Sequence, residues 1–190
     1  MEDVLTRLGH EARKKALSYG SHSWDHVERV HNLCLIIGER EGADLQVLSA
    51  AALLHDIGRS KTGDHASQSA REAAKLLKRL GMPQNLTARI TQAILSHSYS
   101  GGRTPSSLEA RILSDADKLD AMGAVGVYRA ATFAAQRRVG LSEMLKHFNE
   151  KLLKLKKLMY TQTATEIAEG RHEFMIAYLK ELRREVKMKG

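Results

Sequence analysis

The sequence predicts an all-α fold, and three observations carry that expectation. Leu, Ala, Lys, Arg and Glu abound, while Pro occurs twice and aromatic residues make up 5%, a balance that favours helix. Apolar residues recur every three or four positions along almost the whole chain, as on helices with one buried face. No segment alternates apolar and polar residues as a half-buried strand does, and no internal repeat is visible. A chain of 190 residues suits one well-packed domain better than two, since domains usually run to about 100–150 residues. The expectation is therefore a single domain over 1–190, with a core over about 20–137 and C-terminal helices over about 141–187 packed on it.

The elements follow in order. A first helix is expected from Glu2 to Tyr19, stopping at Gly20, and a second from near Ser23 with Val27, Val30, Cys34 and Ile37 on one stripe. A third starts at Asp44, places Leu48, Ala52 and His55 on one face and ends at Gly58, a residue suited to a turn. After the polar "SKTGD", a fourth aligns Ala66, Ala70, Ala73, Leu77 and Leu80 before "GMP" breaks it. The fifth carries Leu86, Ile90, Ala93, Ile94 and His97, and "SYSGGRTPSS" is the longest expected loop. A sixth covers Ser106 to Met122 and a seventh "GVYRAATFAAQRR". Two longer helices follow Gly140. In the first of them Leu141, Leu145, Phe148, Leu152 and Leu155 are spaced for an ordinary core helix or a short coiled-coil seam.

Composition narrows the setting. The single cysteine, Cys34, excludes an intrachain disulfide framework and reads as inert core. "MEDVLTRLGH" has no apolar centre, and no apolar run approaches the roughly 18–20 residues of a membrane span, so the reading is a cytoplasmic protein without a membrane partner. The net charge of +8 favours anionic partners without choosing one. Much of it lies in "EKLLKLKK" and "KELRREVKMKG", which read as a solvated face and a basic tail. Nucleic acid is an unlikely partner, since no groove-reading or base-stacking motif accompanies the charge. Oligomeric state is not legible.

Four places put an ionisable side chain on or beside an apolar stripe: His26 in "WDHVERV", His55 with Asp56 in "HDIGR", His97 in "ILSHS" and Asp117 in "LSDADKLDAMG". Burying carboxylates and imidazoles is costly unless they share a cation. Two or three imidazoles with two carboxylates and no thiolate suit Mn²⁺, Fe²⁺, Co²⁺, Ni²⁺ or a non-structural Zn²⁺. Neighbours on a helix point in different directions, so His55 and Asp56 converge only where their helix is ending.

These residues, read as H…HD…D, together with "SHSWDHVERVHNL", "ALLHDIGRSK", "DHASQSA", "AILSHSYS" and "ARILSDADKLDAMGAVGVYRA" in that order, resemble the HD superfamily of metal-dependent phosphohydrolases. The likeness is to a bacterial and archaeal branch that includes pyrophosphohydrolase-like members, and it extends over about residues 20 to 180. The resemblance implies an all-helical HD domain with one divalent ion (Mn, Fe, Co, Ni, Zn or Mg) held by His26, His55, Asp56 and Asp117. It further implies water on that ion as the nucleophile and a small phosphate substrate, nucleotide-like. Asp56 is then also a catalytic candidate. Arg59, Lys61 and Lys118 follow the ligands directly and are candidates for stabilising phosphate charge, or else surface cations near helix ends. Better-known branches carry a carboxylate three or four residues after the HD pair; here Arg59 and Ser60 stand there, and no "GYP" follows. Nucleoside monophosphates, alarmones and cyclic dinucleotides lose weight accordingly.

The remaining candidates stay open. His65 and His97 can serve a second metal or a phosphate contact, His65 lying near a helix start where an anion is welcome. His22 and His31 read as satisfied core-edge or surface histidines. Asp120 suits either an exposed salt bridge or a hydrogen bond to a ligand histidine. Arg171 interrupts the stripe Ile167, Phe174, Tyr178 and Leu182 and calls for an internal carboxylate or substrate phosphate; Lys151 poses the same question more mildly. Two rival functions remain: a catalytically silent nucleotide sensor of the same fold, and a di-iron oxygenase using His65 and His97.

Overall fold

The protein, seen here in a computed structural model, is described for residues 2–16, 20, 22–59, 64–98 and 102–187. Every regular element among them is helical. In chain order they are α1 (Glu2–Lys15), α2 (Trp24–Glu41), α3 (Leu45–Leu54), α4 (His65–Arg79), α5 (Gln84–Ser96), α6 (Leu108–Asp120), α7 (Gly123–Gln136), α8 (Leu141–Glu150), a 3-10 helix (Leu152–Leu158) and α9 (Gln162–Lys187). The chain divides into two compact units, Met1–Asp117 and Lys118–Gly190, which are taken in turn.

In the N-terminal unit α3 is central. Its residues Val47 through Leu54 are all buried, as befits a helix that is apolar all round, and it packs against α1, α2, α4 and α5. Asp44 starts it by accepting from the backbone N–H groups of Gln46 at 3.1 Å and Val47 at 3.2 Å, which satisfies donors the helix itself cannot. The expected stripe of α2 is observed, with Val27, Val30, Cys34 and Ile37 buried. Ala66, Ala70 and Ala73 on α4 and Ala93 on α5 are buried too, and such small residues let the α4–α5 pair approach closely.

The end of α3 differs from expectation in a way that shapes the site. The α-helix stops at Leu54, His55 is its C-cap, and residues 55–58 continue as turns rather than helix. Gly58 is required there for proximity: a Cβ on it would lie 2.6 Å from the Gln68 carbonyl carbon and 2.6 Å from the Ser69 nitrogen. Its own N–H donates to Ser69 Oγ at 3.1 Å. The His55–Asp56 turn is thereby pressed onto the backbone of α4. Asp64, which caps α4 by accepting from Ser67 N at 3.2 Å, also takes a 2.7 Å bond from Arg103, tying the start of α4 to the segment after α5.

In the C-terminal unit α7 packs on α8 and α9, and the 3-10 helix packs on α8 and α9. The single helix expected from Leu141 onward is broken. Lys151, with φ −127° and ψ −62°, leaves the helical region, and the chain resumes as the 3-10 helix. Phe148, Leu152 and Leu155 are still buried, but Leu141 is exposed and Met144 takes the inward place, so no coiled-coil seam forms. On α9 the buried face is Ala164, Ala168, Met175 and Leu179, whereas Phe174, expected inside, is 47% exposed. The expected stripe of large residues lay one turn-face away from the real one.

Arg171 falls on that real stripe. Its guanidinium donates to the Leu119 carbonyl oxygen at 2.6 Å. Asp120 pairs with Arg129 at 2.9 Å, both side chains nearly inaccessible, so of the two expectations for it the salt bridge is observed, buried instead of exposed. No helix among the described residues is long and apolar enough to cross a membrane.

Candidate metal centre

Five segments of the N-terminal unit deliver imidazoles or carboxylates to one place. His26 comes from the first turn of α2, His55 and Asp56 from the end of α3, His65 from the first residue of α4, His97 from the C-cap of α5, and Asp117 from α6. His22, just before α2, joins them. The five rings form a chain of edge-to-face neighbours: His22 to His26 at 5.2 Å between centroids, His26 to His55 at 5.1 Å, His55 to His97 at 5.3 Å and His97 to His65 at 5.6 Å.

The donor atoms converge. His26 Nε2 and His55 Nε2 lie 3.1 Å apart, and His26 Nε2 is 3.5 Å from Asp117 Oδ1. Asp56 Oδ2 is 3.8 Å from His26 Nε2 and 3.9 Å from His55 Nε2. Three groups among the described residues each bring donor atoms within 4.8 Å of one another: His26, His55 and Asp117; His22, His26 and Asp56; and Asp56, His65 and His97.

The donor set fits a divalent cation. His55 Nδ1 stands 2.7 Å from the Ala52 carbonyl oxygen and His97 Nδ1 stands 2.5 Å from that of Ile94. An Nδ1–H donated to a carbonyl leaves Nε2 as a bare lone pair, the arrangement that metal-binding histidines adopt. His97 Nε2 is buried without a hydrogen-bond partner, a cost that a cation relieves. Carboxylates and imidazoles without thiolate match Mn²⁺, Fe²⁺, Co²⁺ or a hydrolytic Zn²⁺ rather than a structural zinc.

Electrostatics point the same way. Burial alone would raise the carboxyl of Asp117, but its electrostatic interaction with His26, His97 and His55 outweighs this and holds the group below the ordinary carboxylate range. Asp56 follows the same logic: burial raises it, and His55, His22, Arg59 and His26 together pull it well below its usual value. Burial, helped by the charge of His55, drives His97 down to about 4, so it is neutral and able to ligate at physiological pH.

That value sets a pH dependence for the metal-free fold. An unfolded histidine takes a proton near 6.5, whereas folded His97 resists until about 4, so the unfolded state holds more protons in between. Stability contributed by neutral His97 is complete above about pH 6.5 and is lost as pH falls towards 4, by about 3 kcal/mol at most. Thermal unfolding of chelator-treated protein is expected to shift steadily lower from pH 7 to pH 4.5. A midpoint that does not move over that range contradicts the burial of a neutral His97.

The structure thus brings His26, His55, Asp56, Asp117, His65 and His97 together in overlapping groups. Arg59 meets the site through Asp56: its Nη1 donates to Oδ1 at 2.8 Å and Oδ2 at 3.0 Å. Lys61 lies outside the described residues. Lys118, Lys151 and Arg171 belong to the C-terminal unit, where Lys118 is buried with its ammonium 4.5 Å from the Tyr160 ring centre and Lys151 is exposed at the break after α8. His31 sits at the core edge, 2.7 Å from Ser49 Oγ. The residue that sequence reasoning missed is His22, whose Nδ1 is 3.2 Å from Asp56 Oδ2. It precedes α2 and lies on no apolar stripe, and its one sequence signal is a position four residues before His26.

Comparison with known proteins agrees with this architecture. The model of the HD domain matches residues 23–122. An uncharacterized Bacillus subtilis protein, YpgQ, is 38% identical over 173 residues, covering 87% of this chain and 84% of its own. The crystal structure of YpgQ in complex with ADP superposes with a TM-score of 0.84 at 35% identity, covering 96% of this chain and 98% of that one. An HD-superfamily hydrolase from Bacillus thuringiensis gives a TM-score of 0.77 at 28% identity over 99% of this chain and 97% of its own.

Proposed function

The chain belongs to the HD domain family, and on that footing we propose that it is a metal-dependent phosphohydrolase acting on a nucleotide-like substrate. The observation that carries the proposal is the convergence of two imidazoles and two carboxylates on His26: its Nε2 lies 3.1 Å from His55 Nε2, 3.5 Å from Asp117 Oδ1 and 3.8 Å from Asp56 Oδ2, with Asp56 Oδ2 3.9 Å from His55 Nε2. The ADP bound by YpgQ supports a nucleotide as the ligand class.

His26, His55, Asp56 and Asp117 would hold a divalent ion, whose chemistry would be to lower the pKa of water and polarise a phosphoryl group. The chain's own residues do the rest. His55 is fixed by its bond to Ala52, so its Nε2 keeps one direction without reorganisation. Asp56 and Asp117 are ionised throughout the neutral range and offset the cation's charge. Arg59 uses one nitrogen on Asp56 and presents its remaining N–H groups to phosphate oxygens, where fixed donors stabilise charge as the bond to phosphorus breaks. His65 and His97, with Asp56, form a flanking group of donors suited to a phosphate oxygen or a second ion. No side chain need form a covalent intermediate.

The test is a screen of nucleoside mono-, di- and triphosphates with Mn²⁺, Co²⁺, Ni²⁺, Zn²⁺ and Mg²⁺ after chelation, with the products identified. Turnover of at least one nucleotide, lost with chelator and restored by metal, is expected; release of pyrophosphate or phosphate then defines the bond cleaved. Tight nucleotide binding with no turnover in any metal overturns the proposal in favour of a sensor.

A further inference from the structure

Asp56 is the most crowded donor of the site. Its carboxylate is 5% exposed, and Arg59 Nη1 reaches both of its oxygens. Of those oxygens, Oδ2 is the one that faces His26 and His55, at 3.8 and 3.9 Å. A carboxylate gripped by one nitrogen can still pivot about that contact, which would swing Oδ2 away from the cation position. The group placed to prevent this is His22, with Nδ1 3.2 Å from Oδ2.

His22 is well held for such a task. Its ring packs edge-on against His26 at 5.2 Å, and its side chain is 27% exposed, so it stands at the margin of the cluster instead of in its centre. With Asp56, Arg59, Lys15, Val27 and Leu53 it lines a small recess. The match to the family model begins at residue 23, one position after it.

We propose that His22 is a positioning residue: its Nδ1, 3.2 Å from Asp56 Oδ2, directs its N–H to that oxygen when metal is bound and holds the carboxylate in the orientation that binds the metal. The inference rests on the metal-dependent reading of the site. Groups that orient a metal ligand typically change affinity ten- to a hundredfold when removed. The geometry of the donor matters as well. The amide nitrogen of Asn reproduces the place of histidine Nδ1, whereas that of Gln reproduces Nε2, so the two amides separate a directed hydrogen bond from mere bulk or polarity.

The experiment is calorimetric titration of metal-free protein with Mn²⁺ for the wild type, His22→Phe, His22→Asn, His22→Gln and Asp117→Ala. The expected result is a dissociation constant raised about tenfold or more in His22→Phe and His22→Gln, with His22→Asn within about threefold of wild type. Equal losses in His22→Asn and His22→Gln overturn the donor role and make His22 a ligand in its own right. Unchanged affinity in all three His22 variants overturns the inference, provided Asp117→Ala is weakened. If Asp117→Ala is unchanged as well, it is the metal reading that has failed. Should His22→Phe not fold, the contrast between the Asn and Gln variants still decides.

Discussion

Asp117→Ala is expected to weaken Mn²⁺ binding by at least about 100-fold and to reduce nucleotide hydrolysis to background. Removing a group that merely orients a ligand costs ten- to a hundredfold, and Asp117 is proposed as a ligand itself, Oδ1 lying 3.5 Å from His26 Nε2. The charge balance adds to the loss: with Asp56 alone, a dication among His26, His55 and His97 keeps a net positive charge in a largely dry site. The free protein tells a second story. Asp117 lies below the ordinary carboxylate range because of its interaction with His26, His97 and His55; without it His97, which Asp117 helps to protonate, resists protonation further. Acid sensitivity of the metal-free variant should therefore increase. Titration calorimetry and a product-release assay check both parts, and unchanged metal affinity with unchanged turnover defeats the assignment of Asp117.

Arg59→Ala is expected to lower kcat/KM for the nucleotide found by the screen by about 100-fold, the usual consequence of removing one fixed donor from developing charge. The residue stands where other branches of the superfamily place a carboxylate, and it sits at the lip of the site with its side chain 28% exposed. Because Nη1 is engaged by both oxygens of Asp56, only a planar guanidinium has further N–H groups directed elsewhere at the same time. Arg59→Lys is accordingly expected to recover little, since a single ammonium cannot serve carboxylate and phosphate together in that geometry. Steady-state kinetics on both variants provide the check. Recovery by lysine to within about threefold of wild type would show that charge alone is needed and that the bidentate arrangement is incidental.

The parts of this molecule that were legible in its sequence are those where physical cost leaves a mark. An imidazole and a carboxylate at the end of an apolar helix are expensive to bury, so His26, His55, Asp56, His97 and Asp117 stood out, and the structure gathers them. Helix starts written in side-chain chemistry were equally plain: Asp44 caps α3 and Asp64 caps α4 through their own oxygens. The misses have a common cause in size. The spacing of the largest residues on α9 points to Ile167, Phe174 and Tyr178, while the helix buries Ala164, Ala168 and Met175, because small side chains permit the closest packing. Spacing likewise said nothing about the break at Lys151, since Leu152 and Leu155 are buried whether the segment winds as α or as 3-10 helix. His22 was hidden for the opposite reason. It acts from a turn, where no periodicity exists to be violated, and only the folded contact with Asp56 reveals it.

The most direct test of the metal centre is anomalous diffraction at the manganese edge from crystals of the protein grown with Mn²⁺. The account predicts a strong peak within about 2.0–2.3 Å of His26 Nε2, His55 Nε2 and one oxygen each of Asp56 and Asp117, the range of such bonds. A peak elsewhere on the molecule, or none at these four residues in crystals saturated with Mn²⁺, would contradict it.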